Sequence, residues 1–140
     1  METHYIQFCT ATILDWKNIL ASDKYKDIII ESMRFLVDKG RAQIHGFVIM
    51  PNHMHVIWRI HKDLLLQDVQ RNFLKYTAQQ IKFDLLDSES LLLFDFEVRS
   101  KDRRHQFWRR NPLSIDLYSP KVLEQKLNYI HRNPVQKVGS

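Results

Sequence analysis

The chain is poor in the residues that punctuate or cross-link a fold: 140 residues hold one cysteine, three glycines and four prolines. A lone cysteine, Cys9, excludes a disulfide framework and a cysteine-based zinc site within one chain, and it suits a reducing, cytoplasmic setting. With so little glycine and proline, and with no repeats or low-complexity stretches, one compact domain over residues 1–140 with short connections is expected. Long apolar runs are also missing. Runs such as Ile28-Ile29-Ile30 and Leu91 to Phe94 are far too short to span a bilayer, and Met1-Glu2-Thr3-His4 lacks the layout of a signal peptide. No membrane partner is expected.

Acidic residues are scarce in one part of the chain. From Arg99 onward there are 10 Lys and Arg against 3 Asp and Glu, a net of +7, whereas the first 98 residues carry a net of −2. A basic segment in a chain of sequence pI about 9.4 is the electrostatic footprint of a polyanion partner, or else a solvated basic face. Arg99, Lys101, Arg103, Arg104, Arg109 and Arg110 are interleaved with Phe107 and Trp108. The tract suits phosphate contacts and base stacking, although the two aromatics also fit the core of a last strand.

What is present reads as alternating elements. Residues 4–14 are rich in β-branched and aromatic types, as in a strand. Ser22 can cap a helix that runs to Lys39 and stops at Gly40, with Ile28, Ile29, Met33, Leu36 and Val37 at helical spacing. Arg41 to Met50 and His53 to Ile60 read as two strands joined by the Pro51-Asn52 turn. Asp63 is an N-cap candidate for a long helix to about Leu86, and residues 91–99 are expected to form a strand. Residues 105–118, broken by Asn111-Pro112, suggest a bent strand or β-loop. Ser119 and Pro120 then open a last helix that ends near Asn133, before Pro134. The order β-α-β-β-α-β plus a final helix predicts an α+β, ferredoxin-like antiparallel sheet with helices on one face.

Two short segments could carry chemistry. In His53-Met54-His55 the two imidazoles point to one face of a strand, while Met54, Val56 and Trp58 point to the other. Paired imidazoles are half a metal site, or simply surface histidines. The parity of His45, one strand over, depends on the register. On the last helix, Tyr129 and Asn133 stand at i and i+4 and share a face. A phenol oxygen is a possible nucleophile and an amide oxygen a hard metal ligand. An amphipathic boundary tyrosine is the plainer reading.

Together, Met50-Pro51-Asn52-His53-Met54-His55 and Tyr129-Ile130-His131-Arg132-Asn133-Pro134-Val135 resemble the motifs of the single-tyrosine HUH transposases. That family comprises the enzymes of small insertion sequences and the REP-associated tyrosine transposases. His105-Gln106-Phe107-Trp108 and Leu117-Tyr118-Ser119 are similar to segments of the same group, and the likeness covers residues 4–135 in order.

The resemblance implies a divalent ion, Mg²⁺ or Mn²⁺, on His53, His55 and Asn133. It implies Tyr129 as the nucleophile that forms a 5′-phosphotyrosine link, with strands rejoined by reversal. It also implies hairpin-bearing single-stranded DNA as substrate, a homodimer, and a cytoplasmic protein associated with the nucleoid when on DNA. Arg132 joins the basic tract as a DNA contact, and Lys126 or Arg132 could help to deprotonate the tyrosine. A domesticated or inactive DNA-binding relative, and a metal-dependent nuclease using water, remain alternatives. If the nucleophile lay elsewhere, Tyr76 beside Lys75 would be next.

Overall fold

The computed structural model describes residues 5–98, 104–132 and 136–137. Along the chain run β1 (Gln7–Thr12), α1 (Asp23–Asp38), β2 (Ala42–Met50), β3 (His53–Ile60), α2 (Leu66–Asp87), β4 (Leu113–Asp116), α3 (Pro120–His131) and β5 (Gln136–Lys137). The sheet order is β4-β1-β3-β2-β5, and every neighbouring pair is antiparallel. The first four strands give the expected ferredoxin-like arrangement.

Strand parity divides the side chains between two faces. Cys9, Ala11, Ile44, Phe47, Ile49, Met54, Val56 and Trp58 join the larger core under α1 and α2. Helical spacing lets Ile29, Met33 and Leu36 of α1, and Val69, Phe73, Ile81 and Leu85 of α2, close over them. Trp58 is fully buried, its ring 5.8 Å from that of Phe73. The other face carries a smaller cluster, Phe8, Val48, Ile57, Leu117 and Ile130, under α3. Where α3 crosses β2, Gly46 leaves room: a Cβ there would sit 3.4 Å from Leu127 Cδ2.

Several boundaries follow the local chemistry. Gly40, at φ +68, ends α1 with its N–H on Val37 O while the Arg41 N–H reaches Leu36 O, a Schellman stop. Ser119 Oγ accepts from the Val122 N–H, with Pro120 in the first turn of α3. Ser22 stands at the N-cap of α1 without a side-chain bond, and β1 is shorter than the 4–14 reading. Asp63 is not a cap, because α2 starts at Leu66 behind Leu65.

The strand expected over residues 91–99 is instead a 3-10 helix, Leu91–Phe96. Ser90 Oγ accepts from the Leu92 N–H, and the buried residues Leu93 and Phe96 fall three apart, the period of that helix rather than of a strand. The place beside β1 goes to the four-residue β4, from within the stretch read as a β-loop.

Candidate functional site

The register of β1 and β3 sets Thr10 opposite His55 and Thr12 opposite His53. On the far side of β3, Val48 pairs with His55 and Met50 with His53. The two histidines therefore share the α3 face of the sheet, as their parity requires, with ring centroids 5.0 Å apart. α3 lowers Tyr129 onto the same spot. Its hydroxyl lies 3.4 Å from His55 Nε2, and the two rings are 5.4 Å apart and nearly perpendicular. Ile130, one residue on, is completely buried and anchors the helix, whereas Tyr129 remains 45% exposed. A substrate can therefore reach the phenol.

Each histidine is held from behind. His53 Nδ1 lies 2.7 Å from Asn52 Oδ1, an oxygen that can only accept, so Nδ1 carries the proton and Nε2 keeps its lone pair. His55 Nδ1 lies 2.8 Å from Thr10 Oγ1. With the Nδ1 proton on that hydroxyl, His55 also presents a bare Nε2 beside Tyr129. Phe8 stacks on His55 at 5.0 Å, and Lys126 Nζ sits 4.8 Å over the other end of this stack, the Phe8 ring. Burial lowers the His55 pKa to about 4, helped by repulsion from His53 and Lys126; burial also lowers that of His53. Both rings are therefore neutral near pH 7, the state in which imidazole donates to a metal.

From about pH 6.5 down to about 4 the unfolded chain takes up a proton at His55 that the folded chain resists, so that contribution to stability falls as pH falls. Chemical denaturation of metal-free protein across this window should give a steeper pH slope for the wild type than for His55→Gln. Equal slopes would show that His55 titrates freely in the fold.

The donor set suits a divalent ion, since two neutral imidazoles converge beside a phenol oxygen. Among the described residues no group of three or more His, Cys, Asp or Glu side chains forms a fuller cage. Asn133, expected as the third ligand, lies outside the described residues, as do Arg99, Lys101 and Arg103. His45 is the extra residue at the Ile44/Gly46 register shift, and its Nε2 is buried with no hydrogen-bond partner among the described residues.

The described members of the basic tract stand at different places. Arg104 lines a pocket with Leu85 and Leu86 at the end of α2, in the helical layer behind the sheet. Arg109 lies beside the end of β1: its N–H bonds the carbonyl oxygen of Thr12, the cross-strand partner of His53, at 2.7 Å, and exposed Arg110 follows it. Arg132 is the exposed C-cap of α3. Phe107 and Trp108, candidates for base stacking, are buried, and Trp108 Nε1 donates to Thr77 Oγ1. They belong to the core. Tyr76, the alternative nucleophile, is on α2 and away from the histidine pair. Thr10, Asn52 and Phe8 were not singled out from sequence. Asn52 could have been, as the polar neighbour of His53; Thr10 and Phe8 become visible only through the register.

The fold has counterparts among solved structures. It aligns with a REP-associated tyrosine transposase bound to a REP hairpin at a TM-score of 0.62 and 18% identity, over 96% of this chain and 71% of that one. The chain has the fold of a tyrosine transposase. It also aligns with a candidate transposase from Deinococcus radiodurans R1 at a TM-score of 0.56 and 10% identity, over 93% of this chain and 92% of the other. No family model and no curated protein matches the sequence. This fold puts the sheet, the histidine pair and α3 in one frame, and no described helix is long and apolar enough to cross a membrane.

Proposed function

We propose that the chain is a single-tyrosine HUH transposase that cleaves and rejoins single-stranded DNA beside a hairpin. The observation that carries this reading is the meeting of two distant segments, with the Tyr129 hydroxyl 3.4 Å from His55 Nε2. The likeness to a transposase bound to a REP hairpin supports the choice of DNA as substrate.

In this reading His53 and His55 would hold a Mg²⁺ or Mn²⁺ ion, with Asn133 as third ligand. Bound there, the ion would neutralise charge on the scissile phosphate. Tyr129 Oη attacks phosphorus; the new O–P bond replaces the bond to the 3′ oxygen, leaving a 5′-phosphotyrosine and a 3′-hydroxyl. The proton lost by the phenol balances the one gained by the 3′ oxygen. Reversal by a second 3′-hydroxyl joins the new ends without an external energy source. Lys126, three residues before Tyr129 on α3 and stacked over Phe8, supplies positive charge near the developing phenolate. Arg109, Arg110 and Arg132 contact phosphates, and a homodimer is the working assembly.

The test is incubation with hairpin-bearing single-stranded DNA and Mn²⁺, followed by denaturing electrophoresis. A protein-linked DNA product supports the reading. Free 5′-phosphate ends with no adduct would indicate a nuclease using water, and binding without cleavage would indicate an inactive relative.

Thr10 gives a subtler prediction. Thr10→Val keeps shape but removes the partner of His55 Nδ1, so metal affinity should fall about 10–100-fold, the usual cost of losing an outer hydrogen bond to a ligand. Isothermal titration with Mn²⁺ checks this. An unchanged affinity would mean that Thr10 does not orient the ring.

A further inference from the structure

Trp16 is the exposed member of the three tryptophans: 59% of it faces solvent, against 0% for Trp58 and 6% for Trp108. An exposed tryptophan alone would be unremarkable, but the backbone under this one is strained. Asp15 and Trp16 stand at φ 57 and 58, two consecutive non-glycine residues in the left-handed region. Bulky residues rarely occupy that region, and they persist there only when the surroundings enforce it.

The surroundings do enforce it. Ile13 is fully buried, and its N–H bonds Asn52 O at 2.9 Å. The Leu14 N–H bonds Phe107 O at 2.8 Å, and the Trp16 N–H returns to Ile13 O at 3.0 Å. On the far side, Lys17 Nζ donates to Asp95 O, and Ile19 and Leu20 are buried. Both ends of the loop are fastened, and the fastening turns the indole outward. Arg109 supports it, its guanidinium carbon 5.2 Å from the ring centroid. Arg109 is itself tied to Thr12 O, and Thr12 is the cross-strand partner of His53. Chain geometry therefore keeps Trp16 within on the order of 15 Å of the histidine pair.

We propose that Trp16, backed by Arg109, is a stacking platform for an unpaired nucleobase of the DNA strand engaged at the His53–His55 centre. The inference rests on the function proposed above. A rigid, outward indole beside an arginine suits single-stranded DNA: the ring offers a π-face to any base, and the guanidinium can pair with the adjacent phosphate. A base locked in a duplex has no free face to give, so the platform selects unpaired over paired DNA.

The protein provides its own reporter. Trp58 and Trp108 are buried, so the solvent-exposed part of the tryptophan emission comes from Trp16. The full chain, kept in chelator to prevent cleavage, is titrated with a labelled oligonucleotide carrying a hairpin and a single-stranded extension. Label anisotropy gives binding, and tryptophan emission gives stacking. Expected are quenching on binding, its loss in Trp16→Phe, and affinity about 5- to 100-fold weaker in Trp16→Ala. A blunt duplex should leave the emission unchanged.

Binding with unchanged emission, or equal quenching by the duplex, overturns the platform and leaves the proposed function standing. Absence of any binding to the single-stranded probe removes the proposed function and the platform with it. Should Trp16→Ala fail to fold, the comparison of wild type with Trp16→Phe still decides.

Discussion

Tyr129→Phe should abolish the covalent protein–DNA product and lower strand cleavage on the order of 10⁴-fold or more, the scale on which removal of a nucleophile acts. The substitution takes away one oxygen and leaves the ring. Its edge contacts with His55 and Phe8, at centroid distances of 5.4 and 6.4 Å, need no hydroxyl, so the helix should stay seated. Ile130, completely buried, holds α3 in either case. Thermal melting should therefore be nearly unchanged while the adduct disappears. An adduct that survives in Tyr129→Phe would assign the nucleophile to another residue. Restoration of cleavage, with free 5′-phosphate ends, would show that water can enter the vacated position.

The second large effect is expected from the histidines. Loss of an outer hydrogen bond to a ligand costs about 10–100-fold in metal affinity, so His53→Ala or His55→Ala, which removes a donor atom itself, should cost more than that. Titration with Mn²⁺ should show no measurable site in the double variant, and adduct formation should cease even at high Mn²⁺. DNA binding should persist, because Arg109, Arg110 and Trp16 lie outside the donor set. The two substitutions should differ in one respect. His55 is buried and stacked on Phe8, so His55→Ala also opens a space between Phe8 and Tyr129, whereas His53 is only half-buried. His55→Ala should therefore melt lower than His53→Ala. Unaltered Mn²⁺ binding in the double variant would remove the metal assignment altogether.

Much of the fold was legible because strand and helix periods are strict. The alternation around Met54, Val56 and Trp58 specified which face of β3 is core, and that alone put His53 and His55 together on the other. Gly40 and Ser119-Pro120 marked helix ends with their own stereochemistry. The misreading at 91–99 came from a run of consecutive apolar residues, Leu91-Leu92-Leu93-Phe94, which carries no clear period of two. The real fourth strand is only four residues long, with Leu113 and Ile115 exposed, so its pattern was too short to stand out. Thr10 was invisible for another reason: the register between strands 45 residues apart is a tertiary fact. Around Trp16, nothing in the neighbouring residues announces a left-handed backbone.

The spacing of the site along the chain has a consequence for when the protein becomes capable of chemistry. The His55–Tyr129 contact spans 74 residues, and α3 is synthesised well after the histidine strand β3. β4, which closes one edge of the sheet, also comes late. Folding proceeds as the chain emerges, and long-range contacts form only once both partners exist. A ribosome-bound or truncated chain lacking α3 can contain the histidine strand but not the phenol. Such fragments are predicted to form no covalent link to DNA, so a cell producing them would accumulate no stray covalent lesions.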